Sequence, residues 1–345
     1  MTDTHKIKVA ITHGDINGVG YEVILKTFTD SRMFEHCTPI LYGSTKVASY
    51  HKKLLPAQHQ ELNFSAILDS AQAQDKRFNV VNLIPDEVKI EIGKSTEVAG
   101  RLSRMALDRA CEDLKRHTVD VLVTAPINKR NIQSPDFDFP GHTEYLSSKF
   151  GGKSLMFMVC DRIRIGIVTN HYALKDVPKV ITTELLVEKI KIMHQSLKRD
   201  FGIPMPKIAV LALDPHAGDD GVIGTQDREV VKPAIDEAYK NGILAFGPFP
   251  SDGFFGSSEF GKFDGVLALY HDQGLIPFKL MSFTEGVNYT AGLDIIRTSP
   301  AHGTAYDIAG KGKASEQSFR HAVQLACDIL RHRREYDELT KDPLQ

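Results

Sequence analysis

The sequence has few cysteines, no strong charge excess and no long apolar run, and each shortage excludes a class of protein. Only four cysteines occur in 345 residues, far apart and without a CxxC pair, so we expect buried thiols in a reducing compartment. The net charge of −2 gives no electrostatic basis for binding nucleic acid or an anionic membrane.

Membrane and export signals are also missing from the sequence. No apolar run approaches the roughly 18 residues of a membrane span, and the N-terminal MTDTHKIK has no apolar signal segment. We therefore expect a cytoplasmic protein. The apolar content of 42% and the charged content of 25% are ordinary for a globular protein, and the length favours two domains.

The glycine-rich turn after the first predicted strand lacks the standard nucleotide-binding spacings. The strand is Ile7 to Thr12, the turn reads HGDINGVG, and an amphipathic run from Tyr21 to Phe28 follows. The turn is not GxGxxG, and no GK[ST] makes a P-loop. Two interpretations stay open: a ligand-binding βα unit, or a tight turn that needs glycine for its backbone.

Three predicted strands end in histidine. The runs IGIVTNH, VLALDPH and VLALYH end at His171, His216 and His271. Ligands bind beyond the carboxyl ends of strands in open α/β sheets, so the three imidazoles could converge on one divalent metal ion and leave a position open. Asp252 and Asp272 could orient the ligands or bind water or substrate. A single histidine at a strand end is usually structural, and the wide spacings carry no local metal signature.

Further polar residues follow predicted strands or open a predicted helix. The stretch from Gly265 to Lys313 carries Lys279, Asn288, Arg297 and His302 between glycines. The segment GHTEYL opens a short helix, where His142 and Thr143 could hold an anion with free backbone N–H groups, or Thr143 could simply cap the helix. Lys129, after the strand VLVTA, is more typical of a solvated lysine than of an anion ligand.

Seven motifs together resemble the 4-hydroxythreonine-4-phosphate dehydrogenase family of vitamin B6 biosynthesis. They span nearly the whole chain in the family's order: GDINGVGYE, TAPINK, GHTEYL, DPHAGDDGVIG, GPFPSDGFF, YHDQGLIPFK and GVNYTAGLDIIRTSPAHGTAYDIAGKG. The segment HGTAYDIAGKG is also similar to isocitrate and isopropylmalate dehydrogenases, in which it embraces the adenine end of NAD.

The resemblance implies a role for individual residues. The divalent metal ligands would be His171, His216 and His271, at a homodimer interface to which both subunits contribute. The substrate-binding residues would be His142, Thr143, Lys279, Asn288 and Arg297. The residues beside the cofactor would be His302, Gly303 and Thr304. Three positions depart from the family's usual residue: Tyr21 in place of proline, Asp214 in place of asparagine, and Gly253 in place of threonine.

The implied reaction is the oxidation of 4-phosphohydroxy-L-threonine by NAD, with NADP as a possible replacement. Hydride leaves C3, a proton is lost, and the resulting β-keto acid loses CO2 to give 3-amino-2-oxopropyl phosphate. A metal ion bound to the C3 oxygen would favour the alkoxide, and zinc, cobalt, manganese, nickel and magnesium all remain open. Lys279, Asp252 or Asp272 would move the proton.

The expected fold is α/β, with two α/β/α domains arranged as in isocitrate and isopropylmalate dehydrogenases around an interdomain cleft. The first domain would combine residues 1–130 with 300–345, and the second, with the metal and dimer residues, would be 131–299. A helix from Ser95 or Thr96 to about Arg116 has one apolar face. Residues 56–78 are expected to be irregular and 131–141 to cross between domains. Ser315 to Arg334 would be a helix on the first domain.

Three alternative functions stay open. A related dehydrogenase could oxidise 4-phosphoerythronate, which differs at C2 by hydroxyl in place of amine. A metal-dependent hydrolase would also use three histidines and nearby aspartates. A binding protein without catalysis could keep the same pocket. The segment HGTAYDIAGKG, which resembles a cofactor-binding segment, argues against the hydrolase.

Overall fold

The computed structural model describes residues 6–282 and 284–341. Its strands are β1 (Ile7–Thr12), β2 (Cys37–Gly43), β3 (Phe64–Ile67), β4 (Phe78–Asn82), β5 (Val121–Thr124), β6 (Leu155–Cys160), β7 (Ile163–Ile167), β8 (Lys207–Leu211), β9 (Leu244–Phe249), β10 (Gly265–Ala268), β11 (Val287–Ala291) and β12 (Arg297–Pro300). Its α-helices are α1 (Gly20–Thr29), α2 (Met33–His36), α3 (Thr45–Lys53), α4 (Glu97–Lys115), α5 (His142–Phe150), α6 (Val177–Val180), α7 (Thr183–Arg199), α8 (Lys232–Lys240), α9 (Ser251–Gly256), α10 (His271–Met281) and α11 (Gln317–Leu339). Residues 1–5, part of the predicted signal-free N-terminus, and 342–345, at the end of the predicted first domain, lie outside the described residues.

The chain divides into two compact units. The first unit is Met1–Gly151 with Ile295–Leu330, and the second is Gly152–Asp294 with Arg331–Gln345. The sequence-based boundaries near residues 130 and 300 differ from these, and the end of α11 belongs to the second unit rather than the first. Each unit contains strands and helices, so the prediction of an α/β fold is confirmed.

The first unit is built on a parallel sheet. Its strands run in the order β3-β4-β2-β1-β5-β12, and each described pairing is parallel. The central strands β1 and β5 are almost fully buried, which explains why their sequences are nearly continuous apolar runs. The carboxyl ends of β1, β5 and β12 lie at one edge, where the loops after them carry His13, Ala125 and Ala301.

The second unit has a mixed sheet. Its strands run in the order β11-β6-β7-β10-β8-β9, with β11, β6 and β7 joined by antiparallel pairings and the rest by parallel ones. The four neighbours β7, β10, β8 and β9 therefore share one carboxyl edge. That edge is where the segments with the three predicted metal-ligand histidines begin.

The segment 131–151 belongs to the first unit because it packs on α4. Tyr145 stacks on Phe137 with ring centroids 5.0 Å apart, and its hydroxyl donates to Asp108 of α4. Arg104 of α4 donates to Ser134 at 2.9 Å and to Asp136 at 3.2 Å. These contacts explain why residues 131–141 do not form the boundary between units.

Helix α1 and residues 312–314, which are far apart in sequence, meet inside the first unit. Lys26 and Glu22 of α1 form a buried ion pair of 3.0 Å. The Lys26 ammonium also donates to the carbonyls of Gly312, at 2.9 Å, and Ala314, at 2.7 Å. Glu22 accepts the backbone N–H of Ala314 at 2.8 Å, so the pair fixes residues 312–314 against α1.

Tyr21 has a clear structural role. Its ring is fully buried between His13, at a centroid distance of 5.3 Å, and His51, at 4.9 Å. Burial lowers the pKa of both histidines to about 4, so both are neutral at physiological pH. An aromatic ring at this position thus fills a neutral, stacked core.

Two local predictions were incomplete. Residues 56–78 were expected to be irregular, but they contain β3, a short and partly exposed strand. The sequence pattern after Tyr270 does not reveal a helix, because Gly274 and Pro277 lie within it, yet α10 begins at His271. Within residues 6–282 and 284–341, no helix combines the length and apolar character needed to cross a bilayer.

Candidate active site

Two of the predicted substrate-binding residues lie at the start of α5 and a third opens β12. His142 and Thr143 are each 9% exposed, and Arg297 is 3% exposed. The Arg297 guanidinium donates from Nη2 and Nε to the Thr124 hydroxyl, at 2.7 and 3.1 Å. The buried β5 residue Thr124 therefore holds this guanidinium in place.

The electrostatics of this group suit an anion. Burial lowers the pKa of His142 well below its usual value, and the charges of Arg297 and Lys129 lower it further, so the imidazole is neutral. Burial lowers the pKa of Arg297 to about 9, which leaves it charged at neutral pH, and the Glu144 carboxylate supports that charge. The helix N-terminus and the guanidinium together can bind a carboxylate or phosphate.

The predicted cofactor segment packs against the glycine-rich turn. The Val19 N–H donates to the Thr304 carbonyl at 3.0 Å. A Cβ on Gly18 would stand 2.8 Å from that carbonyl oxygen, so only glycine allows the approach. His302, whose Nδ1 lies 3.0 Å from the Gly303 carbonyl, has a pKa lowered by burial. The turn therefore supports the segment with its backbone.

A buried carboxylate that the sequence pattern does not reveal joins these loops. Asp15 accepts the N–H of Asn17 at 2.8 Å, the amide of Asn131 at 2.8 Å and the hydroxyl of Tyr306 at 2.7 Å. Asn128 also donates to the Tyr306 hydroxyl at 3.1 Å. Burial, and then Asp15, raise the pKa of Tyr306 to about 12. Nothing in the local sequence indicates partners this far apart.

In the second unit, two of the predicted metal-ligand histidines lie together. The rings of His171 and His271 have centroids 6.0 Å apart. They line a cavity of about 330 Å³ with Asn170, Tyr172 and Asp272, among others. The Asp272 carboxylate lies 2.7 Å from His271 Nδ1, which leaves Nε2 of that ring as the atom able to bind an ion.

The third histidine stands on an unusual loop. His216 is exposed, and it begins a run of residues with positive φ, from 54° at His216 to 96° at Gly221. The start of this loop is anchored by Asp227, whose two carboxylate oxygens accept the N–H groups of Leu213 and Asp214, each at 2.7 Å. Such backbone conformations persist only where the surroundings enforce them.

Histidine imidazoles are suitable ligands for a transition-metal ion, but one chain does not bring enough of them together to complete a site. Neutral imidazoles suit zinc, cobalt and nickel. Among the described residues, however, no group of three histidine, cysteine, aspartate or glutamate side chains is close enough to hold an ion. The structure thus brings His171 and His271 together without His216.

The remaining predicted residues lie on three different elements of the second unit. Asp252 is exposed in the first turn of α9, and Lys279 is exposed in the last turn of α10. Asn288, in β11, is half-buried, and its Oδ1 is enclosed without a hydrogen-bond partner among the described residues. An enclosed, unsatisfied amide oxygen is a position where a ligand donor would be accommodated.

Comparison with known proteins identifies the family of this chain. Residues 35–326 match the family model described as pyridoxal phosphate biosynthetic protein PdxA. A relative from Bacteroides thetaiotaomicron named 4-hydroxythreonine-4-phosphate dehydrogenase is 52% identical over 345 residues, which cover 99% of this chain and 94% of the relative. A crystal structure of 4-hydroxythreonine-4-phosphate dehydrogenase from Klebsiella pneumoniae is 30% identical, with a TM-score of 0.82, and covers 94% of this chain and 100% of that one.

A more distant likeness concerns the fold alone. The crystal structure of isocitrate dehydrogenase from Methylococcus capsulatus has a TM-score of 0.50 and 12% identity, and the match covers 96% of this chain and 88% of that one. The fold and these matches define a two-unit α/β protein of the dehydrogenase class. The chain belongs to the PdxA family of pyridoxal phosphate biosynthetic proteins, whose relatives are named 4-hydroxythreonine-4-phosphate dehydrogenases.

Proposed function

We propose that the protein is a dehydrogenase dependent on NAD and a divalent metal ion that oxidises 4-phosphohydroxy-L-threonine. The product, 2-amino-3-oxo-4-phosphooxybutanoate, would then lose CO2 to give 3-amino-2-oxopropyl phosphate. Neutral His142 at the start of α5 and charged Arg297 at the start of β12, both buried, carry this proposal, because together they offer an anion site. The identity of the substrate is inferred from the name of the relatives, 4-hydroxythreonine-4-phosphate dehydrogenase.

The substrate's anionic end would bind in the first unit. Arg297 is held by Thr124, so its guanidinium is oriented before the substrate arrives. The backbone N–H groups at the start of α5 and the Lys129 ammonium would add positive potential. His142 is neutral, so it would contribute a hydrogen bond through Nε2, which has no partner among the described residues. In the second unit, Lys279 and Asn288 would hold other polar groups of the substrate.

The metal ion would be held by His171, His216 and His271. When bound, such an ion stabilises negative charge on a substrate oxygen as a Lewis acid. Asp272 would fix the orientation of the His271 ring through its 2.7 Å contact. That role leaves Asp252 and Lys279 as the residues that would accept the proton from the C3 hydroxyl.

The cofactor would lie along the segment of His302, Gly303 and Thr304. Asp15 and Tyr306 would keep this segment in register with the loop that follows β5. NAD then supplies the hydride acceptor, while the chain orients it and excludes water. NADP carries one more phosphate than NAD and would need additional space or cations to bind. The preference for NAD over NADP stays a prediction, as does the cytoplasmic location.

We also propose that the working form is a homodimer. One chain brings only two of the three imidazoles together, so a second copy would complete the site. The helix that begins with His271 also exposes Ile276 and Leu280, at 59% and 83%. Adjacent exposed apolar side chains on one helix face are typical of an interface.

The decisive experiment measures NADH formation by purified, metal-loaded protein. The substrates are 4-phosphohydroxy-L-threonine and, in parallel, 4-phosphoerythronate, with His216→Ala as the control for the metal site. Turnover of the amino substrate that is lost in the variant supports the proposal. Turnover of 4-phosphoerythronate alone would change the assigned substrate but not the assigned type of reaction. No NADH from either substrate, with metal bound, contradicts the dehydrogenase and favours a hydrolase or a binding protein.

A further inference from the structure

Gln273 is a buried residue in the first turn of α10. Its side chain makes three hydrogen bonds, each with a residue outside this helix. Its Oε1 accepts the N–H of Leu269 at 2.7 Å. Its Nε2 donates to the carbonyl of Ala212 at 2.6 Å and to the hydroxyl of Ser251 at 2.8 Å. The side chain is 7% exposed, so it has almost no access to solvent.

Each partner of Gln273 lies one to four residues before a residue of the proposed site. Leu269 follows β10 and leads to His271 in two residues. Ala212 follows β8 and leads to the loop of His216. Ser251 follows β9 and is adjacent to Asp252.

His171, which follows β7, is connected to the same hydrogen-bond network. The Thr169 hydroxyl donates to the Leu269 carbonyl at 2.8 Å, and Thr169 lies two residues before His171. Because β7, β10, β8 and β9 are consecutive neighbours in the sheet, one amide and its immediate partner link the carboxyl ends of all four.

We propose that Gln273 is a positioning residue that fixes the carboxyl ends of β7, β10, β8 and β9 in its own chain, so that it places the histidines and Asp252 that this chain brings to the site and thereby affects the affinity for the metal ion. This inference rests on the proposed function, since it takes the three histidines as the ligands. Only an amide of this length offers one acceptor and two donors here. A carboxylate would face the Ala212 carbonyl with no proton, and an apolar side chain would remove the partner of the buried Leu269 N–H, the buried Ala212 carbonyl and the half-buried Ser251 hydroxyl.

The test measures metal binding without turnover. Metal-free protein is titrated with Co²⁺ and followed by calorimetry and by visible absorption, for the native chain and for Gln273→Glu and Gln273→Met. Residues that orient metal ligands typically change metal affinity by about 10–100-fold when they are replaced. We expect a loss of that size in both variants and an altered cobalt spectrum. Ser251→Ala, which removes one contact only, should show a smaller loss if the Met variant does not fold.

Asn79 provides the matched control for a merely structural role. It is a fully buried amide in the first unit, which donates to the carbonyls of Pro39, Gln74 and Arg77 and accepts the N–H of Gln74. Asn79→Asp and Asn79→Leu should lower Tm but leave Co²⁺ affinity unchanged. If the Gln273 variants lower Tm in the same way and bind Co²⁺ with native affinity and spectrum, Gln273 is structural only and the inference is wrong.

A failure of the inference is distinguishable from a failure of the proposed function. His271→Ala is titrated beside the other variants. Tight binding by the native chain that is lost in His271→Ala supports the metal site, and the Gln273 variants alone then decide the inference. If the native chain binds Co²⁺ no better than His271→Ala, the proposed metal site is wrong and the inference falls with it.

Discussion

Arg333 and Asp200 form a buried ion pair in the second unit, with Arg333 Nε 2.7 Å from Asp200 Oδ1 and both side chains less than 10% exposed. The Tyr289 hydroxyl donates to the other carboxylate oxygen at 2.6 Å, and Arg333 also donates to the Leu293 carbonyl at 3.2 Å. The pair is thus fully hydrogen-bonded and holds the end of α11 to this unit.

Breaking that pair should be costly. Arg333→Met leaves the Asp200 charge buried without its partner, and we expect the free energy of unfolding to fall by about 3–5 kcal/mol. Urea unfolding measures the change. The control is Arg199→Met, which breaks the exposed pair with Asp337 and should cost at most about 1 kcal/mol. Equal losses in both variants would contradict the role of burial.

Arg297 should determine substrate binding through its geometry as well as its charge. Arg297→Lys keeps a positive charge but loses the fork that binds Thr124 and, in our proposal, the substrate anion. We expect KM for the phosphorylated substrate to rise about 10–100-fold, because hydrogen bonds to charged groups contribute about 1.5–3 kcal/mol. Steady-state kinetics measure this change. Arg130→Lys, at an exposed position, serves as the control, and an unchanged KM in Arg297→Lys would sink the assignment.

Stability should fall in mild acid because of the buried, stacked histidines. Burial lowers the folded-state pKa of His13 and His51 to about 4, from 6.5, so between those values the unfolded chain binds more protons than the folded one. Stability is therefore full above pH 6.5 and is lost as pH falls towards 4, by at most about 3 kcal/mol for each histidine. Urea unfolding at pH 7.5 and 5.0 measures it. His13→Phe should shrink the difference, whereas His36→Gln, at an exposed residue, should leave it unchanged.

The left-handed loop of His216 should loosen when its anchor is changed. Asp227→Asn replaces one of two acceptors with a donor that faces an N–H group, so we expect a loss of about 1–3 kcal/mol and faster proteolysis within residues 214–224. Limited proteolysis with mass spectrometry locates the cut. Asp236→Asn alters an exposed residue paired with Lys232 and should change neither property.

The proposed dimer should depend on the exposed face of α10. Ile276→Glu together with Leu280→Glu places charges on that face, and we expect a monomer by light scattering and loss of both metal binding and turnover. Leu68→Glu alters a side chain that is 85% exposed in the first unit and should keep the native mass. A native chain that is monomeric yet active would overturn the shared site.

The sequence was most informative where one segment determines its own structure. The buried run Ile7 to Thr12 is β1 as predicted, and the helix predicted from Ser95 or Thr96 is α4, with the Thr96 hydroxyl accepting the Ala99 N–H at 3.2 Å. The strand β3 was missed because its partly exposed side chains give no apolar pattern.

The site was less predictable because its connections are distant in sequence. Asp15 and Tyr306 are 291 positions apart, and no spacing rule links them. In the sequence, Gln273 is distinguished only as part of the motif YHDQGLIPFK, because its partners Ala212 and Ser251 become neighbours only when the sheet forms. The resemblance supplied residue types for the site, whereas the anchoring network around them required coordinates.

The ion pair of Lys26 and Glu22, which fixes residues 312–314 against α1, has a consequence for the synthesis of the chain. The first unit needs β12 beside β5 and residues 312–314 against α1, yet these segments are translated only after residues 152–294. A nascent chain therefore carries an incomplete first sheet, with the β5 edge unpaired, while all of residues 152–294 are being made. Such an open edge is a known template for wrong pairing, so this enzyme family member should depend on chaperones more during synthesis than when refolded from its full length.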